Sequence, residues 1–75
     1  MGTLRANQAV LGHEYLLVPV AGRAVNASFV NAKIKIVSLD SYRYSYDIVY
    51  QKTNGETGKT FLAKDDTHWN LVRLS

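Results

Sequence analysis

The sequence predicts a small, mainly β domain in which five short antiparallel strands form a half-open barrel behind an N-terminal arm or short helix. Residues 32–74 alternate apolar and polar side chains with a period close to two, as expected for strands that place one face on a core. The pair Asn54-Gly55 lies inside this region and is a strong signal for a hairpin turn. A chain of 75 residues is also long enough for one domain only.

Residues 1–12 are predicted to form the arm, and residues 13–75 the β domain. Leu4 and Leu11 can share one face of a short helix, but Gly12 ends that pattern. The arm is therefore expected to be a loose segment or a short helix.

Residues 14–20 give the first strand because they are apolar almost throughout. Pro19 cannot donate a ladder hydrogen bond, so it should lie near a strand end or on an edge. Residues 21–31 leave two interpretations open, an ordered loop or one to two helical turns. In both, Phe29 is expected to be anchored in the core.

Residues 33–39 give the second strand. Its first four positions alternate between lysine on one face and isoleucine on the other: Lys33, Ile34, Lys35 and Ile36. Val37 and Leu39 then break this parity, which predicts a β-bulge or a strong bend.

Residues 42–52 give the third strand, and its even positions place a stripe of large apolar side chains on one side of the sheet. The stripe consists of Tyr42, Tyr44, Tyr46, Ile48 and Tyr50. Its inner part is expected to face the core, and its outer end, Tyr42 and Tyr44, to extend past the neighbouring strands.

A type I′ turn at Asn54-Gly55, with positive φ at both residues, is predicted to fold the fourth strand, residues 59–64, back on the third. A two-residue turn sets Ile48 opposite Phe61, and a four-residue loop sets Tyr50 opposite Phe61. Both registers put Phe61 on the core face, whereas a slip of one residue would put it on the polar face.

The last part of the chain predicts a tight helical turn capped by Asp65-Asp66-Thr67 and then a fifth strand, residues 70–74. Phe61-Leu62-Ala63 followed by residues 69–74 resembles the end of SH3-like barrels, such as SH3 and Tudor domains. The resemblance is one of pattern, and it implies an SH3-like half-open barrel without indicating a particular family. The shared core is predicted to consist of Ile34, Ile36, Ile48, Phe61 and Leu71.

Composition indicates a globular domain with a mild preference for anionic partners. The net charge is +3, and the whole excess lies in residues 1–35, which hold four basic residues against one acidic residue. The longest apolar run, residues 15–21, is far shorter than the ~20 residues of a membrane-spanning helix. The N-terminus also lacks the apolar segment of a signal peptide, so a cytoplasmic location and no membrane partner are expected.

The catalytic inventory is thin, since the chain has two histidines and no cysteine. Gly58-Lys59-Thr60 ends like a phosphate-binding loop, but Thr53 stands where that motif needs glycine, and strands flank it on both sides. His68 beside Asp65 and Asp66 is better interpreted as a turn with a surface imidazole than as a metal or acid–base site. The chain is therefore predicted to be no enzyme and to use no metal or cofactor; an active site shared between subunits is the enzymatic alternative.

Two binding functions remain. The first is an adaptor or inhibitor that contacts a larger protein through Tyr42, Arg43, Tyr44 and Trp69, because Tyr, Trp and Arg often dominate interface energy. The alternative is a nucleic-acid-binding barrel in which lysines contact phosphates and Tyr44 or Trp69 stacks on bases. Its basic residues would be Lys33, Lys35, Arg43, Lys52 and Lys59. The aromatic residues could instead simply fill the core, and a homo-oligomer is compatible with every interpretation.

Overall fold

One antiparallel sheet of five strands dominates the structure, a computed structural model that describes residues 3–74. The strands are β1 (Glu14–Pro19), β2 (Lys33–Asp40), β3 (Ser45–Gln51), β4 (Thr57–Ala63) and β5 (Trp69–Arg73). Two short 3₁₀ helices, Ala6–Gln8 and Ala27–Phe29, precede β1 and β2. The prediction of a mainly β fold with five antiparallel strands is confirmed.

The strands follow the order β4-β3-β2-β1-β5, so the sheet is not closed into a barrel. Its central strand, β2, pairs with β1 and with β3. The last strand, β5, returns to the far side of β1, from the pair Tyr15–Arg73 to the pair Pro19–Trp69. Pro19 is thus the last residue of its strand, as expected for a residue without an N–H donor.

The core lies on one face of this sheet. Its buried residues are Ala6, Tyr15, Leu17, Ala32, Ile34, Ile36, Tyr46, Ile48, Leu62 and Leu71. Four of the five predicted core residues are therefore confirmed, and the prediction for Phe61 is wrong, because 55% of Phe61 is exposed. Its neighbour Leu62 takes the inward position.

The β3–β4 hairpin explains this exchange. Gly55 N donates to Lys52 O (2.9 Å) and Lys52 N donates to Glu56 O (2.8 Å), so the loop has three residues. Gly55 has a φ of +91°, as predicted, but Asn54 does not have a positive φ, and the predicted type I′ turn is wrong. Asn54 acts through its side chain instead, since its Oδ1 accepts from Glu56 N (2.9 Å).

A three-residue loop with glycine in the left-handed region is a standard hairpin connection. It shifts the register by one residue relative to the two-residue turn and by three relative to the four-residue loop, and any odd shift exchanges the two faces of the strand. Asp47 consequently pairs with Phe61, Ile48 with Thr60, and Tyr46 with Leu62. Both predicted registers are wrong.

Gly58 fits this register because it lies opposite Tyr50. A Cβ atom at position 58 would overlap the Tyr50 ring, so glycine provides the space that the ring occupies. The Tyr50 ring also meets Phe29 edge-on, with 4.9 Å between the ring centroids. Phe29 packs against the core, as predicted.

Val37 forms the predicted irregularity of β2. Ile36 pairs with Ile48 and Ser38 pairs with Asp47, so Val37 is the extra residue of a bulge, and 49% of it is exposed.

Residues 3–12 lie against the sheet. Leu4 and Leu71 exchange two backbone hydrogen bonds of 2.8 Å, Ala6 is fully buried, and Gly12 N donates to Ile36 O. The arm thereby covers the outer edge of β5 at Leu71. The predicted domain boundary after residue 12 stays a prediction.

The connection between β4 and β5 is a turn rather than the expected helical turn. Asp66 does act as its cap, because its Oδ2 accepts from His68 N (3.0 Å) and Trp69 N (2.9 Å). In the part of the chain that the structure describes, no helix has both the length and the apolar character needed to cross a bilayer.

Candidate binding surface

The face of the sheet opposite the core, here called the outer face, carries the groups available for recognition. Pairing sets Lys59 beside Val49 and Val49 beside Lys35, so these three residues form a row across β4, β3 and β2. Phe61, Asp47 and Ser38 form the next row in the same way. Side chains of such adjacent rows on one face are close enough to act together.

A groove of about 530 Å³ runs across this face. The groove, here called the outer groove, has the bulge residue Val37 and the ring of Phe61 among its apolar residues. Ser38 Oγ donates to Asp47 Oδ2 between them, so this acidic group already has a partner. The groove therefore combines apolar and polar lining, as a recognition surface requires.

Arg43 stacks on Phe61, with its guanidinium carbon 5.0 Å from the ring centroid. The turn that presents Arg43 is held by Asp40, whose Oδ1 accepts from Tyr42 N (3.1 Å) and Arg43 N (3.2 Å). Asp40 Oδ2 also lies 3.8 Å from Arg43 Nε. A single carboxylate thus fixes both the backbone of the turn and the direction of its guanidinium group.

The two outer tyrosines of the predicted stripe lie in this turn and are exposed. Tyr42 is 98% exposed and Tyr44 is 54% exposed. Tyr44 has a φ of +53°, which is uncommon for a non-glycine residue and defines where its ring projects. Lys64 Nζ lies 5.1 Å from the centroid of that ring, a cation–π distance.

The predicted lysines also lie on the outer face. Lys33 and Lys35 border a second depression of about 430 Å³ together with Lys59, Thr57 and Gln51. None of these three lysines takes part in a salt bridge within residues 3–74. Lys52, by contrast, is turned toward the hairpin end, 3.1 Å from Glu56 and 4.6 Å from the centroid of Phe29.

Trp69 does not lie in the Tyr42–Tyr44 turn. It begins β5, opposite Pro19, and is half-buried against the core. A cleft of about 150 Å³ separates it from β4, and Phe61 also lines that cleft. Phe61 is therefore the residue that connects the Arg43 region with Trp69, and the predicted site remains a prediction.

Sequence reasoning missed Phe61 and Val37 as surface residues. The sequence pattern predicts Phe61 in the core because it favours a two- or four-residue connection, whereas the loop has three residues. The signal that could have corrected it is Gly58, since a glycine inside a strand favours the register in which it faces a large ring such as that of Tyr50.

The titratable groups of the described chain include one close His–Asp pair, in the turn between β4 and β5. His68 Nδ1 lies 3.5 Å from Asp66 Oδ1, and residues 3–74 contain no group of three metal-binding side chains. Burial raises the pKa of Tyr46 above its ordinary value, and the neighbouring Tyr15 and Tyr44 add to that shift. The Tyr46 hydroxyl donates to Ala9 O (3.3 Å), so its role is to hold the arm against the sheet.

Comparisons with protein-family models, with curated proteins and with solved structures return no significant match for this chain.

Proposed function

We propose that the protein is a non-enzymatic binding module, an adaptor or inhibitor that contacts a larger protein through the β2–β3 turn and the outer groove. One observation carries this proposal. Five of the eight exposed large apolar residues of the described chain belong to β2, its following turn and β4. They are Val37, Leu39, Tyr42, Tyr44 and Phe61. Val37 and Phe61 line the outer groove together, and an exposed apolar groove with polar residues at its rim is typical of an interaction site.

The fold that presents this surface is, we propose, an SH3-like half-open barrel. The pairing of β5 with β1 and the consecutive antiparallel order of β1 to β4 support this assignment. The cleft between β4 and Trp69 then corresponds to the side on which the barrel stays open.

Capture of a partner from a nuclease-treated extract tests the proposed function. A protein partner should remain bound after nuclease treatment and at about 200 mM salt, where phosphate-dominated binding has largely been lost. Tyr44→Ala and Phe61→Ala should each weaken binding by about 2 kcal/mol or more, the effect of truncating a central interface anchor. Leu74→Ala is the matched control, because Leu74 is also exposed (46%) but lies outside this surface.

A nucleic-acid-binding function is the second candidate, and the three lysines without salt bridges favour it. Titration with single-stranded and duplex DNA between about 50 and 200 mM salt separates the two candidates, because several phosphate contacts would lose orders of magnitude in affinity over this range. Salt-sensitive binding that Lys33→Ala/Lys35→Ala abolishes and Tyr44→Ala leaves intact would replace the protein-binding proposal.

A further inference from the structure

The two edges of the sheet differ. The outer edge of β5 is occupied at Leu71 by the backbone of Leu4, whereas β4 has β3 as its single neighbour in the described chain. An unpaired edge presents a row of backbone donors and acceptors that can pair with another strand. Within residues 3–74, the edge of β4 is therefore open along its whole length, whereas the edge of β5 is interrupted at Leu71.

The register identifies which backbone groups face outward. Lys52 N donates to Glu56 O at one end of the hairpin, and Lys64 N donates to Tyr44 O at the other. Hydrogen-bonded and non-hydrogen-bonded pairs alternate in an antiparallel ladder, so the even-numbered residues of β4 bond to β3. The N–H and C=O groups of Thr57, Lys59 and Phe61 point away from the sheet.

Charge along this edge selects an acidic partner. Lys59 is the only charged residue of β4, Lys35 lies in the same row, and Arg43 covers Phe61 in the next row. Two carboxylates share the outer face with these cations: Asp47 is bonded to Ser38, and Glu14 on β1 pairs with Lys35, at the end of the row far from β4. Lys59 is therefore the cation that faces the open edge. A lysine on an edge also disfavours pairing of β4 with another copy of itself, since the copies would bring like charges together.

The other side of the same edge is apolar. The 150 Å³ cleft beside Thr60 is lined by core residues, including Leu17 and Leu62, and by the rings of Phe29 and Trp69. Side chains of a strand added to β4 would alternate between the cationic outer face and this cleft. A complementary strand therefore alternates acidic and apolar residues.

We propose that β4 accepts an extended segment of a partner protein as a sixth strand, with acidic side chains toward Lys59 and Arg43 and apolar side chains toward the Trp69 cleft. This inference rests on the proposed function, because it takes the partner to be a protein. Backbone hydrogen bonds then supply affinity, and the alternating side chains supply specificity.

Nuclear magnetic resonance of the full chain with a synthetic peptide tests the proposal. The probe is an acetylated, amidated heptapeptide that alternates glutamate and valine, and its control carries lysine at each glutamate position. The glutamate peptide should shift the amide resonances of Thr57, Lys59 and Phe61 and slow their hydrogen exchange. The amides of Gly58 and Thr60, already bonded to β3, should show little change in exchange.

Two variants separate the backbone from the charge. Thr57→Pro removes an outward donor at the first residue of β4 without a change of charge or the loss of a bond to β3. Lys59→Glu reverses the charge and keeps the outward backbone N–H and C=O groups of β4. Each variant should weaken peptide binding by about tenfold or more, since it removes a pairing donor or turns attraction into repulsion. Dispersed amide spectra of both variants check that they fold, and Lys59→Gln serves as a milder substitute for Lys59→Glu.

Several results would overturn the proposal: no saturation by about 1 mM glutamate peptide, a range that reaches even weak binding; equal binding of the lysine peptide; or shifts confined to other residues. The same amide shifts on raising the protein concentration without peptide would identify a second copy as the occupant instead. If Phe61→Ala abolishes capture of the partner from extract while Thr57→Pro and Lys59→Glu leave it unchanged, the binding function stands and strand addition is refuted.

Discussion

Leu62 and Phe61 are adjacent in β4, and replacing each by alanine should have very different effects on stability. Leu62 is 6% exposed on the core face, and Phe61 is 55% exposed on the outer face. A chain of 75 residues has a free energy of unfolding of about 4–11 kcal/mol on the usual per-residue scale. The loss expected for Leu62→Ala is therefore a large part of the free energy of unfolding of the whole domain.

The magnitudes follow from burial. Leu62→Ala removes a buried side chain and leaves a cavity in the core, which lowers the free energy of unfolding by about 2–5 kcal/mol. Phe61→Ala exposes no cavity, because solvent already reaches the ring. It loses about half of the burial of one aromatic side chain and an exposed cation–π contact with Arg43, together about 1–2 kcal/mol.

Urea unfolding followed by the fluorescence of Trp69, the single tryptophan, measures both variants. With a slope near 1 kcal/mol per molar urea, the midpoint should fall by about 2–5 M for Leu62→Ala and by a smaller amount, about 1–2 M, for Phe61→Ala. Ile48→Ala is the positive control, since Ile48 is buried in either register. A larger loss for Phe61→Ala than for Leu62→Ala would refute the three-residue loop and restore a register in which Phe61 faces the core.

Three further predictions test the hairpin and the core. Gly58→Ala should destabilise the fold by about 1–3 kcal/mol, measured by thermal unfolding, because the added Cβ displaces the Tyr50 ring. Most of this loss should disappear when the same substitution is made in a Tyr50→Ala variant. Gly55→Val should lower stability by about 1–2 kcal/mol or more through its left-handed backbone, whereas Thr53→Val in the same loop should not; equal effects would contradict the assigned turn. Burial raises the pKa of Tyr46, so the Tyr46 hydroxyl loses its proton at lower pH in the unfolded chain than in the folded one. The free energy of unfolding should therefore stay constant below about pH 10 and fall as the pH rises above it. Tyr46→Phe should flatten that alkaline decline in urea titrations at stepped pH, and an unchanged slope would argue against the burial of this hydroxyl.

The strands of this protein are predictable because their signals are local. Alternation places β2 and β3 within a few residues of their observed bounds, and the broken parity at Val37 marks a real bulge. Pro19 ends its strand because the missing donor excludes it from a ladder interior. The strand alternation, the bulge and the strand end depend on residues that are close in sequence, so they can be predicted from one sequence.

The hairpin register is not predictable from the same local signal. Asn54-Gly55 can form both central residues of a type I′ turn, or it can end a three-residue loop in which only Gly55 has positive φ. The two solutions differ by one residue, and that residue decides whether Phe61 or Leu62 enters the core. The deciding factor is the fit between Tyr50 and Gly58, which is a contact across the hairpin rather than a property of the turn.

The position of the arm is likewise a long-range property. Leu4 pairs with Leu71 from the opposite end of the chain, and no spacing within residues 1–12 indicates that partner. The pairing of β5 with β1 leaves the backbone N–H and C=O groups of Leu71 on the outer edge, where Leu4 bonds to them. Sequence analysis could therefore identify the aromatic and basic residues of the site but not the edge next to which they lie.

The surface of this protein follows from the same register that forms its core. Because Leu62 occupies the inward position, Phe61 must lie on the outer face, where Arg43 covers it and Val37 shares its groove. Because Leu4 bonds to Leu71 on the outer edge of β5, β4 is the edge that stays open along its length in the described chain, beside that same aromatic ring. The strand order leaves β4 at the edge of the sheet, and the three-residue loop places Phe61 and Lys59 on the outer face of that edge strand. A partner is therefore best sought at the edge of β4.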